Sequence, residues 1–190
     1  MPVNFDLDKV RKEHKCNIYF ETGLWNVARE DTSLCQALRL PFDKYASVEI
    51  NPDFIDIAHL KFPQEIKDNK LKLYEGDSKK LKEYLEDLSM TPIEMAMGDD
   101  KILFFLDSHG SGHGCPLVEE LDAIKELKNN NHIIMIDDVR IIRDCCWGVE
   151  KYQGGGFEDL LKQKILSINP NYKFSFLDGY QANDVLFCHL

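Results

Sequence analysis

The runs KILFFLD at 101–107 and HIIMID at 132–137 decide the fold. Each is a short, continuous apolar stretch closed by an acid, without the polar alternation of a strand that has one wet face. Strands covered by helices on both faces, as at the centre of a parallel sheet, read in this way. Both runs fall far below the roughly 18 apolar residues that a membrane helix needs.

Outward from these two, strand-like runs recur at 16–21 (CNIYFE), 45–50 (YASVEI) and 71–75 (LKLYE), and each of the five is followed by a candidate helix. The helices are expected at 32–40, 52–62, 78–88, 116–128 and 157–168. The clearest is 116–128, where Pro116 suits a first turn and Leu117, Val118, Leu121, Ile124 and Leu127 recur at helical spacing. This alternation is the βαβ pattern of an open, Rossmann-like α/β sheet. The tail departs from it: YKFSFLD (172–178) and DVLFCHL (184–190) leave no room for a crossover helix, so they should form an antiparallel hairpin at one edge of a seven-stranded, mostly parallel sheet. At 190 residues and 22.0 kDa the chain reads as a single domain, 1–190.

Lys and Arg number 23 against 33 Asp and Glu, a formal charge of −10, which argues against nucleic acid as a partner. The N-terminus MPVNFDLDKVRKE has no apolar signal-peptide centre, and no segment is suited to a membrane. The six cysteines form no C-x-x-C pair, which fits reduced thiols in a cytoplasmic protein. Oligomeric state is left open.

In an open parallel sheet, ligands bind beyond the carboxyl ends of the strands. Those ends are acidic almost throughout: Glu21-Thr22-Gly23 after the first strand, Glu49 before Asn51-Pro52, Glu75-Gly76-Asp77-Ser78, Asp107, and Asp137-Asp138. Any one of them could simply cap a helix. Gly23 would let the backbone approach a ligand closely, and Glu49, one strand over, suits the two hydroxyls of an adenosine ribose.

This order of motifs (E21-T-G23, S-V-E49-I-N-P, Y-E-G-D77-S78, F-F-L-D107-S-H109-G, I-I-M-I-D137-D138) resembles the class I S-adenosylmethionine-dependent methyltransferases over nearly the whole chain. The resemblance implies that Glu21, Thr22 and Gly23 lie at the methionine end of the cofactor, that Glu49 binds its ribose, and that Asp77 and Ser78 face its adenine, with Asp107 close by. The usual glycine-rich loop is altered: Gly23-Leu-Trp-Asn-Val-Ala has no second glycine and is several residues longer.

Asp107, Asp137 and Asp138 should converge at the ends of neighbouring strands, where mutual repulsion calls for a cation such as Mg²⁺ or Mn²⁺. This is similar to the metal-dependent branch of the family, the catechol and sugar O-methyltransferases. Histidine titrates in the range needed to deprotonate a hydroxyl, so His109 is the first candidate for general base and His113 the second, the latter with a possible substrate role. Arg140 and Arg143 could bind substrate or pair with Asp138 and Asp144, and Trp147, Tyr152 and Gly154 to Gly156 suit a loop over the site.

The expected activity is metal-dependent methyl transfer to a hydroxyl of a sugar or glycan. That acceptor is favoured over a phenol or catechol because the chain lacks the N-terminal helical extension of catechol-type members. A nicotinamide-dependent oxidoreductase would normally carry G-x-G-x-x-G after the first strand, which is absent here. A non-catalytic Rossmann-like binding module would have no need of the three aspartates.

Overall fold

The computed structural model describes residues 3–90, 98–109, 114–140 and 157–190. Seven strands form one sheet: β1 (Ile18–Thr22), β2 (Lys44–Glu49), β3 (Leu71–Glu75), β4 (Ile102–Leu106), β5 (Ile133–Ile136), β6 (Lys173–Leu177) and β7 (Val185–His189), in the order β3-β2-β1-β4-β5-β7-β6. The first five are parallel, and β7 runs antiparallel to both β5 and β6. The predicted edge hairpin is therefore present, with its second strand tucked inside the first.

The continuous run of β4 divides between two cores. Ile102, Phe104 and Leu106 face one side, with Leu85 of α5 (Leu81–Ser89), Leu121 of α6 (Leu117–Glu126) and Ile165 of α7 (Phe157–Leu166). Leu103 and Phe105 face the other, with Val10 of α1 (Leu7–His14), Leu34 of α2 (Ser33–Ala37) and Ile55 of α3 (Pro52–Lys61). Every residue of β4 and β5 is buried, as helices on both faces of a parallel sheet require.

Three elements differ from the sequence expectation. The helix α1, absent from that reading, is capped by Asp6, whose side chain accepts the Lys9 N–H, and buries only Leu7 and Val10. The helix expected over 52–62 stops at Lys61, and Pro63 opens a separate short helix, α4 (Pro63–Lys67). The segment expected to be helical over 78–88 opens with a 3₁₀ turn, Ser78–Lys80, before α5. No helix among the described residues is long and apolar enough to cross a membrane.

Because the chain builds outward from β1 to β2 and β3 and then returns to β4 on the other side of β1, the ends of β1 and β4 form the switch point of the sheet. Thr22 pairs with Leu106 there, and the Asp107 N–H donates to the Thr22 carbonyl at 2.9 Å. Gly23 has φ +86°, and a Cβ at this position would lie 2.3 Å from the Asp107 carbonyl oxygen. Its smallness is needed by the neighbouring backbone, where sequence reasoning had assigned it to a ligand. Gly23→Ala combines left-handed strain with a clash against atoms that cannot rotate away, and should cost about 2–4 kcal/mol. Urea unfolding checks this; a loss below about 0.5 kcal/mol would mean that the two strand ends are free to part.

Candidate active site

A cleft of about 510 Å³ opens over the carboxyl ends of β1 to β5. Gly23 and Trp25 enter it from the loop after β1, Glu49 and Asn51 from the end of β2, Asp77 and Ser78 from β3, Asp107, Ser108 and His109 from β4, and Asp138 from β5. The sheet thus brings together Gly23, Glu49, Asp77, Ser78, Asp107, His109 and Asp138, all singled out from the sequence. Glu49 is held by two backbone amides: Trp25 N–H donates to Oε2 at 2.9 Å and Asn51 N–H to Oε1 at 2.8 Å. A carboxylate oxygen can accept more than one hydrogen bond, so both oxygens keep acceptor capacity. Trp25 stands in the altered glycine loop with φ +56°, a conformation costly for a bulky residue. The Arg29 guanidinium lies 5.1 Å from its ring centre.

Glu21 and Thr22, expected beside the cofactor, do not line this cleft. Both side chains are fully buried in the wall behind it. Glu21 accepts hydrogen bonds from Tyr19 Oη at 2.9 Å, Ser33 Oγ at 2.6 Å and Ser47 Oγ at 2.9 Å, which ties β1 to α2 and β2. Burial pushes its carboxyl up to about 7, against the opposing pull of these hydroxyls. The acids in β1 and at the rim therefore differ in kind: Glu21 is a bolt within the fold, while Glu49 faces the cleft.

At the other end of the cleft, ligand atoms of Asp107, His109 and Asp138 lie within 4.8 Å of one another, as do those of Asp137, Asp138 and Asp184. Asp138 is buried with φ +51°, a strained conformation of the kind that clusters at functional sites. Its N–H donates to Asp137 Oδ1 at 2.8 Å, while Asp137 Oδ2 is buried without a hydrogen bond. Burial raises the carboxyls of Asp107 and Asp137 above the usual carboxylate range and lowers the His109 imidazole. The His109 ring is hydrogen-bonded to the Asp137 backbone, and its Nε2 is buried without a partner. Arg140 lies 2.6 Å from Asp138 Oδ1 and also pairs with Asp184, which favours the ion-pair reading of this arginine. The bare buried Asp137 Oδ2, in a cluster with the carboxylates of Asp107, Asp138 and Asp184 and the His109 imidazole, fits a hard divalent cation. His113, Arg143, Trp147, Tyr152 and Gly154 to Gly156 lie outside the described residues.

Sequence reasoning missed Ser108, Glu120 and Asp184. Glu120 left a signal, an acid on the apolar stripe of α6 beside Leu121; Asp184 left none, since nothing local ties it to Asp138.

No protein-family model and no curated protein matches the chain at the sequence level. Solved structures do. An O-methyltransferase from Bacillus cereus in complex with S-adenosylhomocysteine superposes with a TM-score of 0.59 at 11% identity, covering 97% of this chain and 79% of its own. TomG of Streptomyces achromogenes, an O-methyltransferase of tomaymycin synthesis in complex with S-adenosylmethionine, gives 0.57 at 13%, covering 96% and 76%. MycE of the mycinamycin pathway, in complex with Mg, S-adenosylhomocysteine and mycinamycin VI, gives 0.56 at 13%, covering 96% of this chain and 47% of its own. The fold is that of the S-adenosylmethionine-dependent O-methyltransferases. At these identities the likeness is one of architecture, and the methyltransferase fold agrees with the sequence resemblance down to the reversed terminal hairpin.

The Glu21 carboxyl makes the methyltransferase fold pH-sensitive in a defined direction. Its folded value, about 7, stands above the unfolded value near 4.5, so ionising it opposes folding. Its contribution to stability is complete below about pH 4.5 and is lost as pH rises through 7. Glu21→Gln should flatten the fall in unfolding free energy between pH 5 and 8 by a few kcal/mol. Denaturant melts across that range test it, and parallel slopes for the two proteins would contradict the assignment.

Proposed function

We propose that this chain is a metal-dependent O-methyltransferase that moves the methyl group of S-adenosylmethionine to a hydroxyl of a sugar or glycan. The observation that carries the reading is that Asp107 belongs both to the cofactor-sized cleft and to the acidic cluster, so a bound cofactor and a bound cation would share one wall. Glu49 would accept the ribose hydroxyls, with Asp77 and Ser78 alongside the adenine. The backbone at Gly23 and Asp107 would border the methionine end, with Glu21 and Thr22 supporting it from behind.

Asp107, Asp137 and Asp138 would hold the cation, Mg²⁺ or Mn²⁺. When bound, it orients an acceptor hydroxyl and lowers its pKa. His109 is kept neutral by burial and oriented by its bond to the Asp137 backbone, so its bare Nε2 is free to take the hydroxyl proton. Arg140 balances Asp138 and Asp184 beside that step. Transfer in a line from sulfur to oxygen needs no covalent intermediate with the protein; its demands are alignment and exclusion of water. A neutral imidazole beside the carboxylates supports an alcohol acceptor, because a sugar hydroxyl is a weaker acid than a phenol and gains more from a base. A phenolic acceptor is the second reading, favoured by the small-molecule setting named for TomG.

Calorimetric titration of S-adenosylmethionine, with Mn²⁺ or Mg²⁺ present and NAD as control, should show micromolar binding of the methyl donor alone. Asp138→Ala should abolish metal binding while the cofactor still binds. His109→Ala should slow methyl transfer by about 10²–10⁴-fold with cofactor affinity little changed. Absence of S-adenosylmethionine binding under every condition would leave a non-catalytic binding module as the better account.

A further inference from the structure

Helix α6 places Glu120 on its buried face, between Leu117 and Ile124, with 1% of its surface exposed. A carboxylate so deeply buried must be hydrogen-bonded to be tolerated. Ser108 Oγ donates to Glu120 Oε1 at 2.7 Å, and Ser78 Oγ lies 2.7 Å from Ser108 Oγ. Both serines line the cleft. Burial raises the Glu120 carboxyl, and the hydroxyls of Ser108, Ser78 and Thr22 oppose that rise.

The direction of this chain follows from counting protons. Glu120 Oε1 accepts the Ser108 hydroxyl, and a serine hydroxyl has one proton. The Ser108 proton goes to Glu120, so in the contact between the serines Ser108 is the acceptor and Ser78 the donor. With its proton committed inward, Ser78 offers the cleft only lone pairs. The neighbouring Asp77 carboxylate, which also lines the cleft, is likewise an acceptor, with Oδ1 already receiving the Lys79 N–H at 2.9 Å. Two adjacent acceptors, on Asp77 and Ser78, match the two N–H bonds of an exocyclic amino group.

We propose that the Glu120–Ser108–Ser78 chain is a specificity determinant that fixes Ser78 as an acceptor and so selects an amino-bearing purine, adenine, over a 6-oxo purine. This rests on the reading above, in which the nucleoside of the cofactor lies with its ribose at Glu49 and its base beside Asp77 and Ser78. A 6-oxo group would set a third acceptor against two, leaving lone pairs opposed and unpaired. Glu120 touches no ligand in this account; it is a positioning residue acting through two hydroxyls.

The test compares S-adenosylhomocysteine with S-inosylhomocysteine by calorimetry. The native protein should prefer the adenine ligand by roughly tenfold or more. Glu120→Met and Glu120→Leu, apolar and of similar size, each remove the acceptor at the inner end of the chain and release the Ser78 proton; the preference should then shrink to about threefold or less. A merely structural role would weaken both ligands together and leave their ratio unchanged, and that result in either folded variant would overturn the proposal. So would a native protein that binds both ligands equally. A native protein that binds neither would remove the methyltransferase reading itself, whereas binding with an unaltered ratio in the variants removes only the role of Glu120.

Discussion

The passage of Gly23 against the Asp107 carbonyl is the constraint on which the site depends. Pairing of Thr22 with Leu106 brings the next residue of each strand level, and only a residue without a Cβ lets the two chains leave the sheet side by side. From that point one chain turns toward Trp25 and the Glu49 carboxylate, and the other toward Ser108 and His109. The cleft and the acidic cluster are therefore two sides of a single backbone junction. Moving Asp107 relative to Gly23 would change both at once, which is why the geometry is built from backbone and not from flexible side chains.

The buried acids divide by the company they keep. Glu21 and Glu120 both answer the cost of burial with hydroxyl donors, but the donors of Glu21 are buried Tyr19, Ser33 and Ser47, whereas Ser108, the donor to Glu120, also lines the cleft. The first arrangement stiffens the fold; the second transmits the acid's demand for protons to the cleft wall. The aspartate cluster is different again, since Asp137 Oδ2 has no hydrogen bond and the described counter-charge is Arg140. Four aspartates gather at one rim, and burial raises the carboxyls of Asp107 and Asp137, the condition under which a divalent cation gains most.

The strands and their type were legible because apolar runs such as ILFFL carry their burial in their own composition, and acids at their ends mark the rim of the sheet. The helix α1 was not legible, since its eight residues bury only two and the remainder look like a solvated segment. Cleft-lining residues could be read where they follow the end of a strand or close it, as at Glu49, Asp77 and Asp107. Glu21 shows the limit: it too is an acid at the end of a strand, yet its orientation is set by Ser33 and Ser47, residues 12 and 26 positions away, and no local pattern reveals that. Gly23 was correctly marked as special, but for a reason that only the neighbouring strand supplies.

The reversed hairpin has a direct consequence for the cluster. Because β7 runs antiparallel to β5, its beginning, and not its end, stands at the rim where β5 terminates. Asp184, just before β7, thereby meets Asp137 and Asp138, and its carbonyl accepts the Val139 N–H at 3.1 Å. Gly179, in the turn between β6 and β7, makes the room: a Cβ there would stand 2.8 Å from Asp137 Oδ1. Successive side chains on a strand point to opposite faces, so two adjacent aspartates cannot both serve one side while the strand continues. The left-handed turn at Asp138 ends that alternation, letting its carboxylate join Asp107 and His109 while still reaching Asp137 and Asp184. A parallel seventh strand would bring its last residues to this rim and place the turn that holds Gly179 at the opposite end of the sheet. The hairpin thus does more than close an edge: its direction carries the fourth carboxylate to the cluster.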